Sequence, residues 1–162
     1  MDHLLITFLF GTILICTIFS PQELNNLKGD AMIKEITGLH HITSMASNAD
    51  ANNVFFTKTL GLRRVKKTVN FDAPEVYHLY YGDEIGTPGS VMTYFPFAKM
   101  SPGQRGAGEV SITEFAVPKD ALGFWKERLS ALGVSSLIES SFLGEKRLSF
   151  DGPDVDGFAL VE

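Results

Sequence analysis

The chain has 162 residues and a formal net charge of −5, enough length for one compact domain with a sizeable core. Its densest basic cluster, Arg63-Arg64 with Lys66-Lys67, reads as the solvated side of a strand, so nucleic-acid binding is not expected. Cys16 is the only cysteine, which excludes an intrachain disulfide and a thiolate metal cluster. The cysteine-free remainder suits a reducing cytoplasm, the expected location.

Residues 1–31 differ from the rest. Leu4 to Phe19 is an uncharged, largely apolar run of 16 residues, whereas a spanning helix takes roughly 20. The run has the length of a signal-peptide core, but Asp2 and His3 stand where a positive start belongs. Lys28-Gly29-Asp30-Ala31-Met32 can be encoded by a purine-rich stretch just before an ATG, as a ribosome-binding site read in frame would be. The expectation is translation from Met32, with residues 1–31 a leader translated by mistake. A signal peptide or a membrane anchor, hence export or anchoring, stays open if those residues are genuine.

From Ile36 onward, alternation and turn residues predict a strand over Gly38 to Ala46 and a helix over Asp50 to Leu60. Ser47 or Asn48 can cap that helix, Val54 and Phe55 are its buried positions, and Gly61 stops it. Strands follow at Arg63 to Phe71, Val76 to Tyr81 and Ser90 to Phe95, joined through Asp72-Ala73-Pro74 and a loop from Gly82 to Gly89. Ser101 to Gly108 reads as a flexible linker rather than a phosphate-cradling loop. The rhythm then repeats. A strand spans Val110 to Val117, and Asp120 can cap a helix over Ala121 to Leu132. Leu122, Trp125, Leu129 and Leu132 form its apolar stripe, with Trp125 as core, and Gly133 ends it. Further strands fit Ser135 to Phe142, Lys146 to Phe150 and Phe158 to Glu162.

Two tandem β-α-β-β-β modules, 36–98 and 109–162, therefore make up one domain, 32–162. An internal duplication of about 70 residues predicts an α+β fold in which the two units form a curved mixed-sheet cup.

The adjacent pair His40-His41 is the main chemical candidate. Imidazole is a common transition-metal ligand. Alternation within a strand lets only one of the two look into a given cavity. The plain alternative is two strand histidines bonded to neighbours. His78 reads as a packed or bonded strand residue, and Glu114 as facing the open side of its sheet. Tyr80, Tyr81, Tyr94, Phe95 and Phe97 fill the concave side of a sheet or line an aromatic pocket. Turn chemistry accounts for Asp151, Asp154 and Asp156. His3 carries no functional weight.

Three blocks in combination carry a family resemblance: Ile36-Thr37-Gly38-Leu39-His40-His41-Ile42-Thr43, Leu60-Gly61-Leu62-Arg63-Arg64 through Asp72, and Tyr77-His78-Leu79-Tyr80-Tyr81-Gly82-Asp83-Glu84. With the duplication, the chain from Met32 onward resembles the vicinal oxygen chelate superfamily, which includes glyoxalase I, bleomycin-resistance proteins and extradiol dioxygenases. Within it the chain is similar to the N-terminal half of the hydroquinone-type ring-cleaving dioxygenases. The resemblance implies Fe(II) as cofactor, with His41 as a metal ligand. It also implies that His40 and Thr43 hydrogen-bond near the metal and a small aromatic, hydroquinone- or catechol-like substrate. A 2-His-1-carboxylate triad leaves open positions on Fe(II) for both substrate oxygens and O₂, and a nearby histidine can move the phenolic proton.

The same resemblance implies that two ligands are missing. Family members run to about twice this length, with four modules, and take their second histidine and carboxylate from the fourth. Here Val91-Met92-Thr93-Tyr94 has no carboxylate and Val110 to Glu114 has no histidine. Glu162 is shifted by one residue from the expected acidic position and would face the other way. The expected partner is thus a C-terminal half-protein or a second copy in a homodimer. Two alternatives stay open: a metal-free module that binds or sequesters small aromatics, and a glyoxalase-type lyase dimer.

Overall fold

The computed structural model describes residues 6–7, 38–98, 101 and 106–162. Most of residues 1–31, Ile36 and Thr37 at the start of the first module, and linker residues 102–105 lie outside the described residues. The strands are β1 (Ile6–Thr7), β2 (His41–Ala46), β3 (Arg63–Val69), β4 (Tyr77–Gly82), β5 (Val91–Pro96), β6 (Thr113–Ala116), β7 (Ile138–Phe142), β8 (Glu145–Asp151) and β9 (Gly157–Val161). Helix α1 (Ala49–Val54) runs into a π-helical turn, Phe55–Thr59, and α2 spans Leu122–Ala131.

The two modules build sheets of the same order. The first is β2-β5-β4-β3 and the second β6-β9-β8-β7, with β1 added antiparallel at β6. In each, the first strand of the module pairs parallel with the last, and the remaining pairs are antiparallel. The duplication read from the sequence is thus a duplication of topology, and the fold is the mixed-sheet α+β arrangement expected. No helix among the described residues is long and apolar enough to cross a membrane.

Local chemistry explains most element ends. The Asn48 side chain accepts the backbone N–H groups of Asp50 and Ala51 at 2.9 Å, capping α1. Ser47 is spent elsewhere, on Asp154. Gly61 leaves the helix at φ 74°, a left-handed conformation that glycine adopts at little cost. The loop after β4 is organised by Asp83, whose carboxylate accepts the backbone N–H groups of Ile85, Gly86 and Thr87. Burial would raise its pKa. Hydrogen bonds from Thr87, Gly86 and Ile85 outweigh that and hold it at about 2.

Three expectations are corrected here. Val54 is exposed, and Phe55 and Phe56 are the buried pair. The i→i−5 bond from Leu60 N–H to the Phe55 carbonyl widens the last turn, and the two successive phenylalanines at its start share one apolar face. Second, Asp120 does not cap α2. It lies at φ 65°, and the Glu162 carboxylate accepts the Leu122 N–H at 3.0 Å instead. Third, the stripe on α2 narrows to Leu129, fully buried, with Leu122 and half-buried Trp125 at the core's edge; Leu132 is half exposed. This helix is a straight α-helix and lacks the widened turn of the first module.

The core lies where the modules meet. Phe56 stacks on Tyr81 at a 4.8 Å centroid distance and packs on Tyr94 at 5.0 Å, both from the first sheet. It also meets Phe158 of the second sheet edge-on at 5.9 Å, and Phe55 reaches Phe158 at 5.6 Å. Around this aromatic centre, Arg128 donates to the carbonyls of Thr59 and Lys58 at the end of the π turn. The Tyr94 hydroxyl donates to Asp156 at 2.9 Å, and Ser44 and Ser47 donate to Asp156 and Asp154. Gly157 is required in β9, because a Cβ there would lie 2.3 Å from the Ser111 carbonyl.

Phe56→Ala removes the ring shared by both sheets. It is expected to cost about 3–5 kcal/mol, read as a lowered urea midpoint, while Ile85→Ala on an exposed loop changes stability by less than about 0.5 kcal/mol.

Candidate functional site

Alternation sorts the first sheet into two faces. Leu79, Tyr81, Met92, Tyr94 and Ala46 point to the aromatic core. The opposite face collects the residues that sit across from one another on four strands. His41 is opposite Val91, Thr43 opposite Thr93, Tyr80 opposite Thr93, Thr68 opposite His78 and Lys66 opposite Tyr80. A register shift between Arg64 and Lys66 brings Lys66 and Thr68 onto this face. The aromatic candidates divide accordingly. Tyr80 and Phe95 belong to the face of His41, whereas Tyr81 and Tyr94 are core.

His41 and Thr43 stand two residues apart on β2, on the same side. His40 departs from the sequence expectation. The strand begins at His41, so alternation does not govern His40, and its ring turns back to meet its neighbour. The two Nδ1 atoms are 3.0 Å apart and the rings are edge-on, with centroids at 5.2 Å. Both imidazoles therefore reach one location.

The structure adds groups that sequence reasoning left as packing. Thr43 Oγ1 lies 2.8 Å from Thr93 Oγ1, Thr93 Oγ1 lies 2.9 Å from His78 Nε2, and His78 Nδ1 lies 2.8 Å from the Tyr80 hydroxyl. The His78 ring is held between Tyr80 and Phe95, each at a 4.1 Å centroid distance. Lys66 Nζ stands 5.3 Å over the Tyr80 ring. His78 is a bonded strand residue, as expected, but its bonds lead to Thr43. Their only sequence signal is shared strand parity, which says nothing of which strands become neighbours.

Burial, then the charges of His41 and Lys66, lower the His78 pKa to about 4. Burial, then His40, lowers that of His41. A lone buried imidazole pays for a charge it cannot delocalise into water, so this face favours neutral histidines.

The acidic candidates are tied up elsewhere. Glu114 faces away from the core, as expected, but is buried there by its ion pair with Arg147; their side chains are 7% and 11% exposed. Asp154 and Asp156 serve the junction between modules. Glu162 caps α2 and lies 3.7 Å from Lys146. Among the described residues no three His, Cys, Asp or Glu side chains come together to hold a metal ion. The described residues thus do not fit a complete iron triad. What the arrangement can do is present two adjacent imidazoles and an ordered hydroxyl to one polar molecule.

In an NMR titration, His78 is expected to take up its proton only near pH 4 and His41 below 6.5. Because the folded His78 pKa lies below the unfolded value, its contribution to stability is complete above about pH 6.5 and falls away as the pH drops towards 4. A His78 midpoint at or above 6.5 contradicts the burial described.

No family model matches the chain. Among curated proteins it is 47% identical over 125 residues to MhqE of Bacillus subtilis, named as a ring-cleaving dioxygenase, covering 77% of this chain and 41% of that protein. It is 40% identical over 132 residues to the chlorohydroquinone/hydroquinone 1,2-dioxygenase of Sphingobium indicum, covering 80% of this chain and 41% of that enzyme. The chain thus spans about two fifths of the length of the curated relatives it matches. A crystal structure from Bacillus subtilis, named as a dioxygenase, superposes with a TM-score of 0.74 at 42% identity, over 77% of this chain and 40% of that one. The glyoxalase family protein of Enterococcus faecalis shares the fold at a TM-score of 0.62 and 21% identity, over 78% of this chain and 98% of that one. So does the fosfomycin resistance protein FosX of Listeria monocytogenes, crystallised with Mn(II), at 0.59 and 19% over 78% and 92%. With these relatives and this twice-repeated β-α-β-β-β fold, the chain belongs to the vicinal oxygen chelate superfamily, and its sequence relatives are ring-cleaving dioxygenases.

Proposed function

We propose that the chain is the N-terminal half of an Fe(II)-dependent, hydroquinone-type ring-cleaving dioxygenase, acting in the cytoplasm with 32–162 as its functional domain. The observation that carries this reading is 40% identity to an enzyme named for chlorohydroquinone and hydroquinone, over 80% of this chain but 41% of that one. His41 is the iron ligand this half contributes. A second histidine and a carboxylate come from a C-terminal half, and among the described residues no three metal-type ligands stand together without it.

In this reading His40, in contact with His41, takes the proton from a phenolic hydroxyl of the ring as it binds. Thr43 hydrogen-bonds the same substrate oxygen from two residues further along β2. The neutral state favoured at His41 suits a ligand role, since metal and proton compete for the same lone pair.

A second reading has one observation in its favour: the chain covers 98% of a two-module glyoxalase family structure. Two modules can therefore be a complete fold, and a homodimer would then complete the site.

The test mixes the purified chain, under anaerobic conditions with Fe(II), with the separately expressed C-terminal half of MhqE, and then measures oxygen uptake with hydroquinone. The chain alone is expected to hold no stoichiometric iron and consume no oxygen, and the mixture to do both. His41→Ala abolishes both properties, and His40→Ala lowers turnover by about a hundredfold or more. Stoichiometric iron on a dimer of this chain alone overturns the half-enzyme reading in favour of the homodimer. Hydroquinone bound in every mixture but consumed in none favours a sequestering module.

A further inference from the structure

Four hydroxyl and imidazole groups on the cup face of the first sheet form one unbroken hydrogen-bonded row. It runs Tyr80 hydroxyl, His78 Nδ1, His78 Nε2, Thr93 Oγ1, Thr43 Oγ1, with links of 2.8, 2.9 and 2.8 Å. We propose that His78 and Thr93 are positioning residues that, driven by Tyr80, orient the Thr43 hydroxyl as a hydrogen-bond donor to a ring-bound phenolate oxygen. The proposal rests on the reading of Thr43 as a substrate contact and extends it to three residues that no comparison assigns.

The argument is one of donor accounting. A neutral imidazole has one N–H donor and one acceptor nitrogen, and a hydroxyl has one donor. Thr93 is fully buried with Thr43 and His78 as the partners of its hydroxyl, so its proton must go to one of them, and with one proton per link the row points one way throughout. Either Tyr80 donates to Nδ1, Nε2–H donates to Thr93, and Thr93 donates to Thr43, or every bond is reversed. A phenol is a far stronger acid than an alkyl hydroxyl and donates better to an imidazole nitrogen. This selects the first direction, which places the His78 proton on Nε2. Thr43 Oγ1 is then an acceptor within the row, and its own proton is left for a molecule in the cup.

The packing holds the row in place. Thr93 is fully buried, the His78 ring is clamped between Tyr80 and Phe95, and strand register sets Thr93 opposite both Thr43 and Tyr80. A fixed donor at Thr43 discriminates by charge state. Its bond to a deprotonated ring oxygen is charge-assisted and roughly twice as strong as the bond to a neutral phenol. Removal of that proton by His40 and recognition of the resulting anion by Thr43 then act in sequence on one oxygen.

Long-range proton–nitrogen NMR on the full chain at pH 7.5, with hydroquinone as probe, tests this. Without ligand, His78 is expected as a single neutral tautomer protonated at Nε2. Tyr80→Phe removes the driving donor and yields a tautomer mixture. Thr93→Val weakens hydroquinone binding about tenfold and uncouples the His78 nitrogen signals from hydroquinone addition; Thr93→Ser restores both to within about twofold. Nδ1 protonation in the wild type overturns the proposal. So does hydroquinone affinity unchanged in both Thr93→Val and Tyr80→Phe, and either variant suffices should the other fail to fold. If the tautomer is as stated but hydroquinone leaves the His41, Thr43 and His78 signals unmoved, the hydroxyl row stands as oriented. The phenolic-substrate reading then fails, and with it the role given to Thr43.

Discussion

The parallel pairing of β2 with β5 is the constraint on which the cup depends. It joins the first and last strands of a module, so every intervening residue must fold to let two distant segments lie side by side. Its register sets His41 beside Val91 and Thr43 beside Thr93, while Ile42 and Met92 turn to the other face. Side chains alternate with a period of two, so a slip of β2 by one residue would drive His41 and Thr43 into the aromatic core and turn Ile42 and Ala46 out of it. The buried apolar set therefore enforces the polar set. The second module repeats the device, with β6 beside β9 and Phe115 opposite Leu160.

The junction between modules is built from a local irregularity. Phe55 and Phe56 open a π-helical turn and are both buried, and Phe56 touches both sheets. Arg128 binds the free carbonyls at the end of that turn, and Tyr94 with Ser44 and Ser47 engages the acidic loop from Asp154 to Asp156. One aromatic centre ringed by charge-assisted hydrogen bonds fixes one module against the other, and so fixes the shape of the cup.

That shape has an uneven chemistry. The His41 face is polar, ordered and poor in negative charge, while the carboxylates of the second module are consumed in capping α2, pairing with Arg147 and joining the modules. A cation would find imidazoles here without the carboxylate that usually accompanies them. A phenolic ring would find aromatic neighbours and oriented hydroxyl groups. The division agrees with relatives of which the matched part is about two fifths of the length.

Much of this was legible in the residues. Strand alternation, Asn48, Gly61 and the echo between the two halves are local signals, and each arises from backbone sterics or hydrogen bonding within a few residues. Together with the His40-His41 block they determined the element order, the duplication and the family. The neighbours of those residues were decided only in three dimensions. Val54 stays exposed while Phe56 packs against rings of both sheets, Asp120 lost its capping role to Glu162 from the far end of the chain, and Glu114 was buried by Arg147. His78 and Thr93 joined Thr43 because three strands distant in sequence came into register. Local sequence sets which face a side chain takes within its own element. Which side chains share that face is set by pairing across long loops, and that is a property of the packed whole.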